Sequence, residues 1–244
     1  MSEQPIHLLS TDAITWLRDM GCDEPTDDVQ RTFYGLRSKE KASKLSTNSK
    51  PNTELKINTF NIEDINNIDD LYTYVSLNHL PNSNIINQKF IFFDGNNNAD
   101  LMIIGDKPDI EDFKIGKPFQ GGSGNLLDAM LKAIGYNRSN TYFTNMHCYN
   151  PEVPIELSLQ ILEKQIEIVN PKVVIMLGAE VSKCLIKTDK GIFKTRGQWF
   201  NLDQFVSNSS ISCISMFHPR YVLAHPQSKK ESWIDLKTVR DKLS

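Results

Sequence analysis

The chain has 244 residues, of which 39% are hydrophobic and 23% charged, and its formal net charge is −3. These values are ordinary for a globular protein with a sizeable core, and they exclude nucleic-acid binding through overall charge, so any such contact must come from a local patch. The four cysteines include no CxxC pair, which argues against a zinc ribbon or a disulfide framework and favours a reducing compartment.

The sequence contains no predicted membrane or export segment. Its first residues lack a basic stretch followed by a long apolar run, which excludes a typical signal peptide. No apolar stretch approaches the length needed to span a bilayer. We therefore expect a cytoplasmic, monomeric protein with no membrane partner.

The N-terminal third predicts a helix followed by a linker. Residues 10–21 have a Ser or Thr for the N-cap, apolar side chains at helical spacing and a Gly at the end. Residues 38–61 are rich in Lys, Ser, Thr and Asn and poor in large apolar groups, which is typical of a flexible linker. This basic linker is either a solvated tether, which we favour, or a weak DNA tether. The predicted organisation is a helical leader (1–37), a linker (38–61) and one domain (62–244).

The rest of the chain alternates between apolar strands and amphipathic helices. Strands are predicted at 89–95, 101–105, 141–145, 172–178 and 210–217. Helices are predicted at 68–80, 123–135, 155–170, 179–187 and 228–243. The strands are apolar throughout instead of alternating in polarity, which predicts a parallel sheet that is covered by helices on both faces.

Polar residues follow several of these strands at their carboxyl ends, where open parallel sheets bind ligands. Asp106 and Lys107 follow one strand, Asn145 ends another, and His218 follows the last. Each of these has a structural explanation when taken alone; Asp106, for example, is a common turn or N-cap residue. Their joint occurrence at strand ends predicts that an acid, an amide and an imidazole converge at one rim of the sheet.

Five segments, in order and with their spacing kept over about residues 90–239, resemble the motifs of family 4 uracil-DNA glycosylases. These segments are GDKPDIEDFKIGKPFQGGSGNLLDAML, YFTNMHCYNP, QIEIVNPKVVIMLGAEVSKCLI, TRGQWF and MFHPRYVLAHPQSKKESWIDLKTV. The resemblance implies a three-layer α/β/α fold with a central, mainly parallel four-stranded sheet. It also implies an enzyme of DNA repair that hydrolyses the bond between uracil and deoxyribose after the base is flipped out of single- or double-stranded DNA.

The resemblance assigns roles to the residues at the rim. Phe119 would stack on the flipped base, and Asn145 would hydrogen-bond uracil O4 and N3–H, a pattern that cytosine does not match. His218 would stabilise the negative charge that develops on the leaving uracil. Asp106, at the first acidic position of the motif, would position water or stabilise the sugar cation. The second acidic position, Asp112, is likewise expected to be catalytic.

The resemblance also implies contacts from the neighbouring backbone and from two DNA-binding segments. Backbone N–H groups near Asp106 and Lys107 would assist at uracil O2, so Lys107 counts among the base-binding residues. DNA is expected to contact Gly121, Gly122 and Ser123 in the first segment, and Arg220, Tyr221, Val222 and Leu223 in the second. The first segment would bind phosphate at a helix start, and the second would form a loop that wedges into the duplex.

The chain departs from the family pattern where most members bind a [4Fe–4S] cluster through four cysteines. No cysteine occurs in the region expected to supply the first pair. The third ligand position aligns with Tyr149, one residue after Cys148, and the fourth aligns with Ser158. We therefore predict that the protein has no iron–sulfur cluster, no metal and no other cofactor.

A second departure lies in the motif GDKPD, where the family has GEAPG. Asp106 is one methylene shorter than the family Glu, and a shift of about 1 Å in a catalytic group can reduce the rate about 10²-fold. Lys107 replaces a small residue, and Asp109 replaces a Gly. Three hypotheses remain open: a uracil glycosylase, which we favour; a weakly active or inactive homologue that binds lesion DNA; and a glycosylase for hypoxanthine or xanthine.

Overall fold

The computed structural model describes residues 61–78, 91–147, 154–205 and 210–244. The predicted leader (1–37) and all but the last residue of the predicted linker (38–61) lie outside these ranges. Within these ranges, no helix combines the length and the apolar character needed to cross a membrane.

One sheet of six strands organises the described residues. The strands are β1 (Phe93–Gly95), β2 (Leu101–Gly105), β3 (Thr141–Asn145), β4 (Val173–Leu177), β5 (Trp199–Asn201) and β6 (Ser212–Met216). The helices are α1 (Ile68–Asn78), α2 (Ile110–Ile115), α3 (Gly121–Lys132), α4 (Ile155–Val169), α5 (Ala179–Leu185), α6 (Ile192–Thr195), α7 (Pro219–Ala224) and α8 (Lys229–Leu243). Short 3₁₀ turns lie at Ile62–Asp64, Asp203–Phe205 and Pro226–Ser228.

The strand order is β1-β3-β2-β4-β6-β5. The four central strands, β3, β2, β4 and β6, run parallel, which confirms the predicted central parallel sheet. The sheet extends beyond four strands because β1 and β5 pair antiparallel at its two edges. The strand predicted at 89–95 therefore joins the sheet as a short antiparallel edge, and β5 adds a strand that was not predicted.

Side chains of each central strand enter two separate hydrophobic clusters, one on each face of the sheet. Leu101 and Ile103 face one cluster, together with residues of α3 and α8. Met102 and Ile104 face the other, together with residues of α1, α4 and α5. Because alternate residues of a strand point to opposite faces, a sheet covered by helices on both sides favours apolar residues on both faces of each strand. This burial explains the predominantly apolar strands and confirms the three-layer α/β/α fold.

The chain order reverses at the centre of the sheet, between β2 and β4. From β2 the chain moves outward to β3, then returns to β4 and continues to β6. In open parallel sheets such a reversal leaves a crevice at the carboxyl ends of the strands. Asp106, Gly178 and His218 all lie just beyond strands at this edge.

The segment after β6, which we predicted to be a loop, forms the short helix α7. Pro219 occupies its first turn, where a missing N–H costs nothing. His218 is the N-cap, and its Nδ1 accepts a hydrogen bond from the Arg220 backbone N–H at 3.1 Å. The helices α2 and α6 were also not predicted.

Candidate active site

Asn145 is the last residue of β3 and is 1% exposed. Neither its Oδ1 nor its Nδ2 has a hydrogen-bond partner among the described residues. Leaving such a buried polar group unpaired costs about 1–3 kcal/mol, so in native structures a bound ligand or an ordered water usually supplies the partner. The Asn145 amide therefore has one donor and one acceptor available to a bound ligand.

Gly105 lies opposite Asn145 in the parallel ladder between β2 and β3. A Cβ atom at position 105 would overlap Asn145 Oδ1 and would lie 2.8 Å from Phe119 Cζ. The Asn145 amide and the Phe119 ring therefore both pack against Gly105, where only glycine fits. Phe119 itself is 4% exposed, and its ring centroid lies 6.2 Å from that of His218.

Phe119 has a left-handed backbone conformation, with φ of 56°, which is unfavourable for a bulky residue. Arg138 stabilises this turn because its Nη2 donates to Phe119 O at 2.6 Å and its Nη1 donates to Pro118 O at 3.1 Å. The guanidinium is held in turn by ion pairs with Asp94 at 2.8 Å and Asp128 at 3.1 Å. No sequence pattern marked Arg138, and the structure reveals it as the main support of the Phe119 turn.

Asp112, which we expected to be catalytic, has both carboxylate oxygens occupied by backbone donors. Its Oδ1 accepts from Gln120 N–H at 2.6 Å, and its Oδ2 accepts from Asp109 N–H at 3.0 Å. The residue is 3% exposed, and this burial raises the pKa of its carboxyl, an effect that the backbone donors partly offset. These contacts hold the two ends of the segment between Asp109 and Phe119.

Asp106 and His218 face one another at the carboxyl ends of β2 and β6. The distance between Asp106 Oδ1 and His218 Nε2 is 3.9 Å, and both side chains are mostly buried. Asp106 Oδ1 has no hydrogen-bond partner among the described residues. Its backbone is fixed, since its carbonyl accepts from His147 N–H at 2.9 Å.

The His218 imidazole is held in a defined tautomer. Its Nδ1 accepts from the Arg220 backbone N–H, so in the neutral ring the proton lies on Nε2. Burial lowers the pKa of His218; the nearby Asp106 carboxylate opposes that effect, and the Arg220 guanidinium adds to it. A neutral imidazole that presents Nε2–H is therefore favoured at neutral pH.

An open cavity of about 440 Å³ adjoins this pair. It is lined by Asp106, His218 and Arg220, together with residues at the end of β4 and the start of α5. Asn145 and Phe119 do not line it. His218 therefore borders both the cavity and the ring of Phe119.

The two segments predicted to bind DNA lie next to each other. Gly122 follows the first residue of α3, and a Cβ at this position would lie 3.9 Å from Leu223 Cδ1 of α7. Gly121 and Ser123 belong to the same first turn, whose backbone N–H groups have no intrahelical acceptor. Gly124, one residue further, allows this turn to pass directly over the Phe119 carbonyl, which any Cβ would overlap.

The residues of α7 differ in what they expose. Leu223 is 45% exposed, whereas Val222 is 1% exposed and packs into the protein. Tyr221 stacks on His225, with ring centroids 4.2 Å apart. Arg220 pairs with Asp109 at 2.6 Å, and Lys107 is exposed with no ion pair to any described residue.

Of the two residues that we aligned with cluster ligands, Tyr149 and Ser158, only Ser158 lies within the described residues. Ser158 is 2% exposed, and its Oγ lies 3.3 Å from His147 Nδ1. Cys213 is buried in β6, and burial raises the pKa of its thiol to about 12. The described residues contain no group of three or more potential metal ligands, while Cys148 and Tyr149 lie outside them.

The family model for the uracil DNA glycosylase superfamily matches residues 92–237. The chain belongs to this superfamily. Three curated relatives, all called type-4 uracil-DNA glycosylases, align over most of their own length. The protein of Thermotoga maritima is 31% identical over 153 residues, which is 59% of this chain and 74% of the relative. That of Archaeoglobus fulgidus is 28% identical over 156 residues (59% and 77%), and that of Saccharolobus solfataricus is 29% identical over 163 residues (62% and 74%).

Proposed function

We propose that this protein is a uracil-DNA glycosylase, a hydrolase of base excision repair that removes uracil and leaves an abasic site in DNA. The observation that carries the proposal is the Asn145 amide, buried beside Phe119 with both polar atoms unpaired. A flipped uracil supplies the missing partners, since its O4 accepts from Nδ2 and its N3–H donates to Oδ1. Cytosine offers a donor and an acceptor in the opposite places and would leave the amide unpaired.

In the reaction, a water oxygen bonds to C1′ of the deoxyribose and releases one proton to solvent, while the bond from C1′ to uracil N1 breaks. The bonding electron pair leaves with the uracil, and its negative charge is shared with O2. The neutral His218 imidazole donates from Nε2 toward that oxygen, which stabilises the charge where it develops. This role requires no protonated histidine, in agreement with the burial that lowers the pKa of His218.

Asp106 is the proposed partner of water and of the sugar. Asp106 lines the cavity, and its buried Oδ1 has no hydrogen-bond partner among the described residues, so we propose that it accepts a hydrogen bond from the attacking water. Its negative charge also favours positive charge on the deoxyribose in the transition state. Lys107, the next residue, is exposed. We propose that its backbone N–H assists at uracil O2.

For Asp112 we propose a positioning role in place of the catalytic role expected from the sequence. Both of its oxygens already accept backbone N–H groups, so it fixes the segment that ends at Phe119. For DNA binding we propose phosphate contacts at Gly121, Gly122 and Ser123. We also propose contacts from α7, with Leu223 as the inserted side chain because Val222 is buried.

We propose that the enzyme works without an iron–sulfur cluster, because a serine stands at one aligned ligand position, a tyrosine at another, and no cysteine occurs in the region expected to supply the first pair. A cytoplasmic location and a monomeric state are further proposals. They rest on the cysteine usage and on the sequence pattern described above.

The experiment compares single- and double-stranded oligonucleotides that contain uracil, hypoxanthine, xanthine or no modified base. Abasic products are cleaved with alkali and quantified for the wild type, Asn145→Ala and His218→Ala. Asn98→Ala is a matched control, since Asn98 is an exposed asparagine that precedes β2 at the opposite end of the strand. We expect excision of uracil by the wild type and the control, and a loss of at least about 10²-fold in both site variants.

Each alternative predicts a different result. Tight binding of uracil-DNA without any product would identify a lesion-binding homologue. Preferential excision of hypoxanthine or xanthine, insensitive to Asn145→Ala, would identify another base specificity. Iron in the purified protein, or a brown colour, would overturn the proposal that the cluster is absent.

A further inference from the structure

Phe193, on the short helix α6, is 69% exposed although it is a large aromatic side chain. It is held in place by two other rings. Its centroid lies 5.4 Å from that of Phe217 and 5.9 Å from that of Tyr221, with interplanar angles of 65° and 81°. Such edge-to-face contacts fix the orientation of the ring, and the large exposed fraction leaves part of its π surface open to solvent.

The exposed ring is continuous with the proposed DNA-binding surface. Phe217 immediately precedes His218 in the chain, and Tyr221 lies on α7 and lines the cavity. The ring of Phe193 is thus packed directly against the helix that carries Leu223, but Phe193 does not line the cavity beside Asp106 and His218.

The segment around Phe193 is positively charged. Residues 187–196, with the sequence KTDKGIFKTR, contain four cationic side chains and one acid. Lys190 and Lys194, on either side of Phe193, are both exposed, and neither pairs with a carboxylate of the described residues. Because the chain as a whole has a net charge of −3, the open aromatic ring and the unpaired ammonium groups form a basic patch that is confined to this segment.

Proteins bind single-stranded nucleic acid with this pair of elements: an aromatic side chain on which a base stacks, and cations that contact the backbone. A partner protein would be expected to cover a broader apolar surface, whereas Phe193 is flanked by charged residues. We therefore propose that Phe193 is a stacking platform for an unpaired base next to the flipped nucleotide, with Lys190 and Lys194 as contacts to the adjoining phosphates. The proposal rests on the proposed function in that it takes the ligand to be DNA that carries a flipped base.

The test measures binding of single-stranded oligonucleotides that contain a stable abasic-site analogue, which cannot be cleaved. Fluorescence anisotropy gives Kd, and 2-aminopurine placed at successive positions on either side of the analogue reports stacking through its quenching. We expect Phe193→Ala to raise Kd by about 5-fold to 30-fold, as loss of one stacked base does. We also expect it to abolish quenching at one flanking position, whereas Phe193→Trp should restore both properties.

Leu77→Ala is the matched control, because Leu77 is 77% exposed on α1 and belongs to no proposed surface. It should leave Kd and quenching unchanged. Lys190→Gln together with Lys194→Gln should weaken binding and reduce its dependence on salt concentration.

Unchanged Kd and quenching in Phe193→Ala would overturn the proposal. If Phe193→Ala changes the sedimentation of the free protein but leaves DNA binding unchanged, the proposal is overturned and Phe193 instead forms a contact between two copies of the chain. Because the oligonucleotide contains no scissile base, these results do not depend on activity. A wild-type protein that fails to excise uracil would therefore refute the proposed function, whereas the binding and quenching measurements would still show whether a base stacks on Phe193.

Discussion

Arg220 Nη2 donates to Asp109 Oδ2 at 2.6 Å, so the loop after β2 is tied to the first turn of α7. Both side chains are partly exposed, at 47% and 41%. Exposed ion pairs contribute only about 0–1 kcal/mol, so a DNA phosphate can displace this carboxylate at little cost. If Arg220 contacts DNA as we propose, Asp109 is expected to compete with the phosphate for its guanidinium.

Replacing Asp109 by Asn should strengthen DNA binding. The substitution frees Arg220 and removes a negative charge that repels phosphate. We expect Kd for duplex DNA to fall by up to about 10-fold at low salt, and the slope of log K against log salt to become steeper by about one phosphate contact. Anisotropy titrations over a range of salt concentrations measure both effects. Asp241→Asn, which breaks the exposed pair with Arg240 on α8, is the matched control and should change neither.

The pKa of His218 should change in opposite directions when Asp106 is neutralised and when Arg220 is neutralised. Asp106 raises its pKa and Arg220 lowers it, while burial keeps it below the ordinary value. We expect Asp106→Asn to lower the pKa further and Arg220→Gln to raise it, as measured by NMR titration of the imidazole. Shifts of the same sign in both variants would contradict this electrostatic description.

The same histidine should make stability depend on pH. Because its pKa is lower in the folded protein than in the unfolded chain, the unfolded chain binds a proton first as the pH falls. The stability that neutral His218 contributes should be fully present above the ordinary histidine pKa. The free energy of unfolding should therefore decrease as the pH falls from that value to the lowered pKa of the folded protein. Denaturant unfolding of the wild type and His218→Gln at several pH values measures it, since the variant should lose this part of the dependence.

Gly105→Ala should impair uracil binding more than its small size suggests. Its methyl group would overlap Asn145 Oδ1 and press on the Phe119 ring, so the amide must move away from its base-reading position. We expect a loss of about 10²-fold in kcat/KM and a decrease of about 1–3 kcal/mol in the free energy of unfolding. Gly191→Ala is the control, because a Cβ there meets no atom within 4 Å among the described residues. Equal activity of both variants would show that the Asn145 position is not restricted in this way.

Arg138→Ala should release the Phe119 turn. It removes two donors to the backbone carbonyls of Pro118 and Phe119 and leaves Asp94 with Lys117 as its partner. We expect KM to rise and kcat/KM to fall by about 10- to 100-fold, while Arg240→Ala on α8 retains full activity. Arg138→Lys should recover only part of the loss, because an ammonium group cannot reproduce the planar, forked geometry of the guanidinium. Full recovery with lysine would indicate that charge alone supports the turn.

Much of the fold was predictable because burial on both faces leaves a direct trace in the sequence. The parallel strands β2 and β4 are apolar at every position, β3 and β6 combine apolar residues with polar ones, and the long helices between them carry apolar residues at helical spacing. The short elements left little such trace, and of them only β1 falls within a predicted strand (89–95). The edge strands β1 and β5 are three residues long and only half-buried, and α2, α6 and α7 are each six residues or fewer.

The sequence by itself determined which residue types stand at the ends of the strands, and therefore that an acid, an amide and an imidazole meet at one edge of a parallel sheet. Only the tertiary structure decided how each is used. It pairs the two oxygens of Asp112 with backbone donors and buries Val222. It also brings Arg138 to the Phe119 carbonyl and ties Arg220 to Asp109, residues 19 and 111 positions apart in the chain. A residue's type and its strand position are local properties, whereas exposure and hydrogen-bond partners depend on groups that only folding brings together.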